Sequence, residues 1–253
     1  MMKSTTFAEW AADAVLLLGG KNPAPHTAAI IVAAGKSTRM GCKGSKQFLE
    51  IRGVPVLALT LQAFQKARHI QEIVVVTRPE DVETVWQLGE VYGITKLTQV
   101  TRGGATRAIS VRRGFRKIHP KTRFVAIHDG ARCLITPGEI DKVCRVAYRH
   151  RAATAATPVT DTVKTVNKRG FITATMNRDQ VFLVQTPQVF HADLYRAALA
   201  HVADDLITDD NQLMERIRYP IKPVDIGRNN IKITHPDDME RAEFILSHRE
   251  EAQ

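Results

Sequence analysis

The residues best suited to chemistry fall in three short sets, each placed where an apolar run ends. The first is Gly35-Lys36-Ser37-Thr38-Arg39-Met40-Gly41, with Lys46 close behind. The second is Arg102-Gly103-Gly104-Ala105-Thr106-Arg107, with Ser110. The third is His128-Asp129-Gly130-Ala131-Arg132. Small residues let the backbone approach a ligand, free N–H groups point at anionic oxygens, and Lys and Arg balance the charge. A polyphosphate is the ligand such sets suit. Spacing excludes two common nucleotide motifs. A P-loop needs a glycine five residues before Gly35, and Ile30 stands there. The dinucleotide fingerprint needs a second glycine where Lys36 and Ser37 follow Gly35. Metalloprotease, CxxC and G-x-S-x-G patterns are missing from the sequence.

The chemistry left is the handling of charge. A nucleoside triphosphate carries about four negative charges, and a phosphomonoester acceptor adds nearly two. Joining them at phosphorus calls for cations, a divalent metal and rigid positioning, with no nucleophilic side chain. The acceptor phosphate is already ionised, so a strong general base is not required. Arg39, Lys46, Arg107, Arg132, Arg178 and Lys232 supply cations, and Asp129 is the best candidate to hold Mg²⁺.

These sets need elements to carry them. Ile30-Ile31-Val32 reads as a strand buried on both faces. Further strands are predicted at 73–76, 96–100, 124–127 and 153–158, with helices at 55–68, from Arg78-Pro79 onward, at 105–118 and at 137–151. The alternation predicts an α/β, doubly wound, mostly parallel sheet, Rossmann-like, with helices on both faces. All three polar sets then lie at strand C-termini, where such sheets bind ligands. The alternation breaks at 162–175, which predicts a protruding β-hairpin arm at about 160–178. A helix at 192–202, a Thr208–Asp210 cap on a helix through Arg216, a strand at 221–226, an extended 230–233 and a last helix capped by Thr234 complete the chain. At the other end, 6–18 reads as a short amphipathic helix and 19–25 as a linker. The expected organisation is therefore an extension over 1–27 and a single domain over 28–250.

With 253 residues and 44% hydrophobic content, the chain has the makings of an ordinary globular protein. A net charge of +10 suits polyanionic partners. The basic residues are dispersed, and aromatic residues make up 6%, which argues against a base-stacking nucleic-acid surface and favours a small phosphorylated substrate. No stretch nears the roughly 18 apolar residues of a membrane span, and no signal-peptide pattern opens the chain. Cys42, Cys133 and Cys144 form no C-x-x-C pair, which fits free thiols in a reducing cytoplasm.

In order along the chain, the motifs resemble those of the sugar-phosphate nucleotidyltransferases, and more narrowly the 2-C-methyl-D-erythritol 4-phosphate cytidylyltransferases. The resemblance covers about 28–246. Val32-Ala33-Ala34-Gly35-x-x-x-Arg39-Met40, followed by Lys46-Gln47-Phe48-Leu49, resembles the family's triphosphate loop. It implies that Ala33, Ala34 and Gly35 bind nucleotide, and that Arg39 and Lys46 bind the β- and γ-phosphates and steady the transition state. Gly103-Gly104-x-x-Arg107-x-x-Ser110-Val111 resembles the segment whose backbone reads cytosine, with Arg107 and Ser110 supporting the nucleotide. His128-Asp129-x-Ala131-Arg132 implies nucleotide contacts from Asp129 and Arg132, with Asp129 beside the metal and ribose. The arm implies Thr162 and Arg178 at the acceptor phosphate across a homodimer interface. Gln185-Thr186-Pro187-Gln188 implies Thr186 on the acceptor side, and Asn230-Ile231-Lys232-Ile233 implies Lys232 at the α-phosphate. Ser45 and Cys133 stand where the family usually has proline, which bears on loop stiffness.

The activity so implied is Mg²⁺-dependent transfer of CMP from CTP to a polyol phosphate. Methylerythritol phosphate is favoured over ribitol 5-phosphate by Ala33-Ala34-Gly35, Asp161-Thr162-Val163-Lys164 and Asn177-Arg178. A basic polyanion-binding module without turnover is the alternative from another class. Simpler roles are expected elsewhere. His128 reads as a hydrogen-bonded structural residue, and Arg112, Arg113 and Arg116 as a solvated helix face. Asp161 reads as a pin for the hairpin, and Asp209 and Asp210 as an N-cap and a first-turn carboxylate. Cys42 reads as an inert thiol, and Trp10 and Trp86 as apolar contacts.

Overall fold

The computed structural model describes residues 24–35, 45–201, 207 and 209–251. The expectations at 6–18, and those for Trp10, Arg39 and Cys42, lie outside the described residues.

A run of β-branched and small residues forms β1 (Thr27–Val32). A short hairpin of β2 (Glu50–Ile51) and β3 (Val54–Pro55) leads into α1 (Val56–Lys66). Then come β4 (Glu72–Thr77), α2 (Val82–Val91), β5 (Leu97–Arg102), α3 (Arg107–Phe115), β6 (Phe124–Asp129), α4 (Pro137–His150) and β7 (Ala152–Pro158). The arm is β8 (Lys164–Val166) paired antiparallel with β9 (Ile172–Thr175). The rest is β10 (Phe182–His191), α5 (Ala192–His201), α6 (Asn211–Arg216), β11 (Lys222–Asp225) and α7 (Asp237–Glu251).

The main sheet runs β11-β7-β10-β6-β1-β4-β5. Strands β1, β4, β5 and β6 are mutually parallel, β11 is parallel to β7, and β10 runs antiparallel between β6 and β7. From β1 the chain winds outward through β4 and β5, then returns to β6 on the other side of β1. The strand order therefore reverses between β1 and β6, and a crevice opens at their carboxyl ends.

Alternating side chains serve two cores. Ala29 and Ile31 of β1 join Leu57, Leu61 and Phe64 of α1, Val85 of α2 and Val143 of α4 on one face. Ile30 joins Val111 and Phe115 of α3, Tyr195 of α5 and Met214 of α6 on the other. This two-sided burial is what the continuous apolar strand runs encode. A third cluster, with Ile51, Val56, Ala131, Cys133, Leu134, Ile233 and Ala242, packs α7 against the crevice end. Cys133 is thus core, and burial pushes its thiol up to about 12. Trp86 packs against the first core, as expected.

The helix starts follow local chemistry. Thr136 and Glu139 form a reciprocal capping box ahead of Pro137. Thr106 Oγ1 accepts the Ile109 N–H at the start of α3.

Several expectations need correction. Strand β10 extends through Pro187, a stretch for which no strand was expected. Its pairing with β7 shifts register between Val184 and Gln188, so the proline sits in a bulge where no ladder N–H is needed. The 230–233 stretch, expected only to be extended, pairs with no strand and is held by the Ile233 N–H to Ala131 O at 2.8 Å. At the last helix Thr234 does not cap. Asp238 Oδ2 reaches back to accept the Thr234 and His235 N–H groups at 2.7 and 2.8 Å. At the start of α6, Asp209 Oδ1 accepts the Gln212 N–H and so gives the side-chain cap expected of it, whereas Asp210 precedes the helix without a side-chain capping bond.

Candidate active site

The three polar sets arrive together because the backbone ties their starts to neighbouring strands. Ala33 N–H donates to Val76 O, Gly103 N–H to Thr77 O and Gly130 N–H to Val32 O, at 2.7, 2.7 and 2.9 Å. Beyond these ties lies a cavity of about 440 Å³. Ala34 and Gly35 line it from the end of β1, and Lys46 and Gln47 from the start of the next helical turn. Gly104, Ala105, Thr106, Arg107 and Ser110 line it from the turn into α3, Asp129 and Ala131 from the end of β6, and Lys232 and Thr234 from the segment before α7.

The two glycines of the second set are there for space. A Cβ on Gly103 would come within 2.4 Å of the Ala34 Cβ, and one on Gly104 within 2.1 Å of Ile109 Cγ2. No described atom lies within 4 Å of a Cβ on Gly35, so that glycine leaves the cavity open beside it. Ser110 Oγ accepts the Gly104 N–H at 3.0 Å and donates to Thr106 O at 2.9 Å, which fixes the turn.

Charge is concentrated around Asp129. Lys232 Nζ lies 2.8 Å from its Oδ2, Arg107 Nε 3.5 Å from Oδ1 and Arg132 Nε 3.6 Å from Oδ2. Burial alone would raise the Asp129 pKa, but Lys232, Arg107 and Arg132 outweigh it and hold the carboxyl well below the usual range. Burial likewise disfavours the Arg107 cation, yet Asp210 and then Asp129 overcome it and raise its pKa above the ordinary value. Lys46 is buried, and its ammonium donates to Ile233 O at 2.5 Å, joining the first set to the 230–234 segment.

Behind this wall lies a neutral layer. His128 is fully buried, with Nε2 3.2 Å from Arg132 O and Nδ1 3.1 Å from Thr186 Oγ1. Burial pushes its pKa down to about 3, so the ring stays neutral. This is the structural histidine expected. Thr186 is buried too, and its hydroxyl accepts the Asp129 N–H at 3.1 Å. It backs the site without lining the cavity. Ala33 is buried, and Ala33, Gly103 and Arg132 stand behind the lining. Arg132 Nη1 donates to Asn230 O at 2.9 Å, holding the Lys232 segment in place. Thr162 and Arg178 are exposed on the arm and are not part of the cavity wall, and Arg178 donates to Thr160 O at 2.9 Å.

Asp210 is the residue that sequence reasoning assigned to the wrong task. It is buried, and Arg107 Nη1 lies 2.5 Å from its Oδ2. The adjacent acidic pair before a helix signalled a cap. The contact that counts comes from a helix 103 positions away, which no local pattern reports.

A nucleotide-handling α/β protein is what this fold and site define, with a cationic cavity at the point where strand order reverses. Comparison with known proteins narrows this. The family model for 2-C-methyl-D-erythritol 4-phosphate cytidylyltransferase matches residues 27–248. The chain belongs to that family of nucleotidyltransferase enzymes. Among its relatives are the enzymes of that name from Pelotomaculum thermopropionicum and Parasynechococcus marenigrum. The first is 38% identical across 88% of this chain and 95% of its own length, the second 40% across 88% and 98%. The crystal structure of 4-diphosphocytidyl-2C-methyl-D-erythritol synthase from Anaerococcus prevotii superposes with a TM-score of 0.80 at 30% identity, covering 92% of this chain and 99% of that one.

Proposed function

We propose that this enzyme transfers CMP from CTP to 2-C-methyl-D-erythritol 4-phosphate, releasing pyrophosphate and supplying the non-mevalonate route to isoprenoid precursors. The observation that carries the reading is the meeting of described members of all three polar sets, Gly35 and Lys46, Gly104 and Arg107, and Asp129, with Lys232 in one cavity at the β1–β6 reversal.

In this reading the nucleotide lies along the β1 and α3 loops. The Gly103-Gly104 turn faces cytosine and Arg107 and Ser110 support the nucleotide. Arg39 and Lys46 take the β- and γ-phosphates, and Lys232 takes the α-phosphate. An oxygen of the acceptor phosphate attacks the α-phosphorus. A new P–O bond forms there as the bond to the β-phosphate oxygen breaks, and pyrophosphate leaves. No proton needs removing from the nucleophile, which agrees with a His128 held neutral and fully bonded behind the wall. The chain's work is positioning and charge compensation.

The site also suits a divalent cation, Mg²⁺ by preference. That ion takes few protein carboxylates and draws its other ligands from substrate phosphates and water. Asp129 offers one ionised carboxylate on the cavity wall, and among the described residues there is no cluster of three or more His, Cys, Asp or Glu that would make an all-protein cage. When bound, the cation neutralises charge on the phosphates.

The same reading takes 28–250 as one catalytic domain with its arm at about 160–178. It makes the protein a cytoplasmic homodimer in which the arm delivers Thr162 and Arg178 to the partner's acceptor site, with no nucleic-acid or membrane partner. Exposed apolar side chains on and beside the arm favour such a contact. No helix among the described residues is long and apolar enough to cross a membrane.

The test is pyrophosphate release with CTP and Mg²⁺, comparing methylerythritol phosphate with ribitol 5-phosphate. Release with the first alone is expected. Release with ribitol phosphate alone would keep the mechanism and move the acceptor, and silence with both would overturn the enzyme assignment.

A further inference from the structure

Arg107 is the first residue of α3, directly after the capping Thr106. A cation there opposes the helix dipole, which already gathers partial positive charge at that end. Two carboxylates from other elements compensate, and they do so unequally. Asp210 Oδ2 lies 2.5 Å from Arg107 Nη1, whereas Asp129 Oδ1 lies 3.5 Å from Nε, and the other oxygen of that carboxylate, Oδ2, is taken by Lys232 and Arg132. Asp210 is 2% exposed and firmly held. The hydroxyl of fully buried Tyr195 donates to its Oδ1 at 2.6 Å, and its own N–H donates to Gln188 Oε1 at 2.9 Å. Burial, then Asp210 itself, raises the Tyr195 pKa well above the usual value, so the hydroxyl remains a donor. Asp210 does not line the cavity, but Arg107 does.

We propose that Asp210 is a positioning residue for nucleotide binding: anchored by Tyr195 and Gln188, it holds the Arg107 guanidinium at the cavity wall, oriented toward the CTP anion. The inference rests on the assignment of this cavity as the CTP site. Electrostatics alone predicts the opposite outcome. Asp210 adds negative charge close to an anion site, so if charge were its whole effect, neutralising it would tighten CTP binding. If it positions Arg107, neutralising it frees the guanidinium to turn onto Asp129, and CTP binds less well.

The experiment is equilibrium CTP binding without acceptor, on the full chain, for wild type, Asp210→Asn, Arg107→Ala and the double variant, alongside steady-state kinetics. Asparagine keeps the shape and a carbonyl for Tyr195. Asp210→Asn is expected to weaken CTP about 10- to 100-fold, the worth of one charge-assisted hydrogen bond. Its kcat at saturating CTP should stay within about threefold of wild type, because the loss is in binding shared by ground and transition states. On the Arg107→Ala background the same change should have no further effect. A loss of equal size there would show that Asp210 merely supports α6, and would overturn the inference. So would unchanged or tighter CTP binding in Asp210→Asn. If Arg107→Ala weakens CTP while Asp210→Asn does not, the inference alone falls. If Arg107→Ala binds CTP normally, the nucleotide role of Arg107 falls with it. Should Asp210→Asn fail to fold by circular dichroism, Tyr195→Phe reads the same anchor. It is expected to weaken CTP about threefold by loosening one hydrogen bond, and an unchanged affinity would overturn the inference.

Discussion

Single residues here divide into those that meet the ligand and those that hold them. Lys46 does both, since it lines the cavity and its ammonium donates to Ile233 O. In the proposed transfer, Lys46→Ala removes a cation from the region where charge builds up. A fall in kcat of about 10²- to 10³-fold is expected, the usual loss for one pre-placed electrostatic donor. Near-normal turnover in folded Lys46→Ala would refute the role given to it. His128 makes a different prediction, about stability. Its folded pKa of about 3 lies below the ordinary 6.5. Between those values the unfolded chain binds a proton that the folded one does not, so stability is full above about pH 6.5 and declines as pH falls toward 3. The slope from this residue is at most about 1.4 kcal/mol per pH unit. Urea unfolding of wild type and His128→Gln at pH 7.5 and 5.5 should show a smaller acid loss in the variant. Equal losses would mean that the buried ring is not what makes the fold sensitive to acid.

At the scale of elements, the turn between β5 and α3 shows how sequence becomes site. A methyl on Gly104 would sit 2.1 Å from Ile109 Cγ2, and Ile109 belongs to the helix whose first residue is Arg107. Gly104→Ala must therefore displace either the turn or the start of α3. A destabilisation of about 1–3 kcal/mol is expected from the overpacking, together with a loss of CTP affinity. A Tm and a CTP dissociation constant both equal to wild type would show that the close approach is dispensable. Glycines beside an arginine at a strand end were legible in the sequence because small size and positive charge are local properties. So was the parallel sheet, since β1, β4 and β6 are apolar on both faces and alternate with helical periods. What escaped depends on distant partners. Pro187 hid β10, because a proline in a central strand is tolerated only when a bulge removes the need for its N–H, and this bulge in β10 shows only in its pairing with β7. Asp210 looked like a first-turn carboxylate beside the Asp209 cap because its partner, Arg107, lies on another helix. Thr186 carried the right motif, but its burial behind Asp129 was not visible until β10 was placed beside β6.

The whole molecule leaves one part of the proposed site away from the rest. The cavity is lined by Lys46, Arg107, Asp129 and Lys232, which the proposal puts on the nucleotide side, while Thr162 and Arg178 sit exposed on the arm. The arm is also unusually apolar for a surface: Val166, Phe171 and Ile172 are 61%, 67% and 66% exposed, and Leu183 beside it 58%. A hairpin of two short strands has little core of its own and needs a surface to pack on. A second copy of the chain would satisfy both needs, covering the apolar side chains and bringing Arg178 to an acceptor phosphate in the partner's cavity. Phe171→Glu with Ile172→Glu places charges in that contact without touching the CTP cavity. Sedimentation should show the wild type as a dimer and the double variant as a monomer. The monomer should bind CTP with unchanged affinity, because every cavity residue is its own, yet lose turnover with the acceptor. Arg178→Ala should remain dimeric and raise the acceptor KM by about tenfold or more, the worth of one ionic hydrogen bond, while leaving CTP binding alone. A monomeric variant that turns over normally would show that each chain completes its own acceptor site and that the arm has some other use.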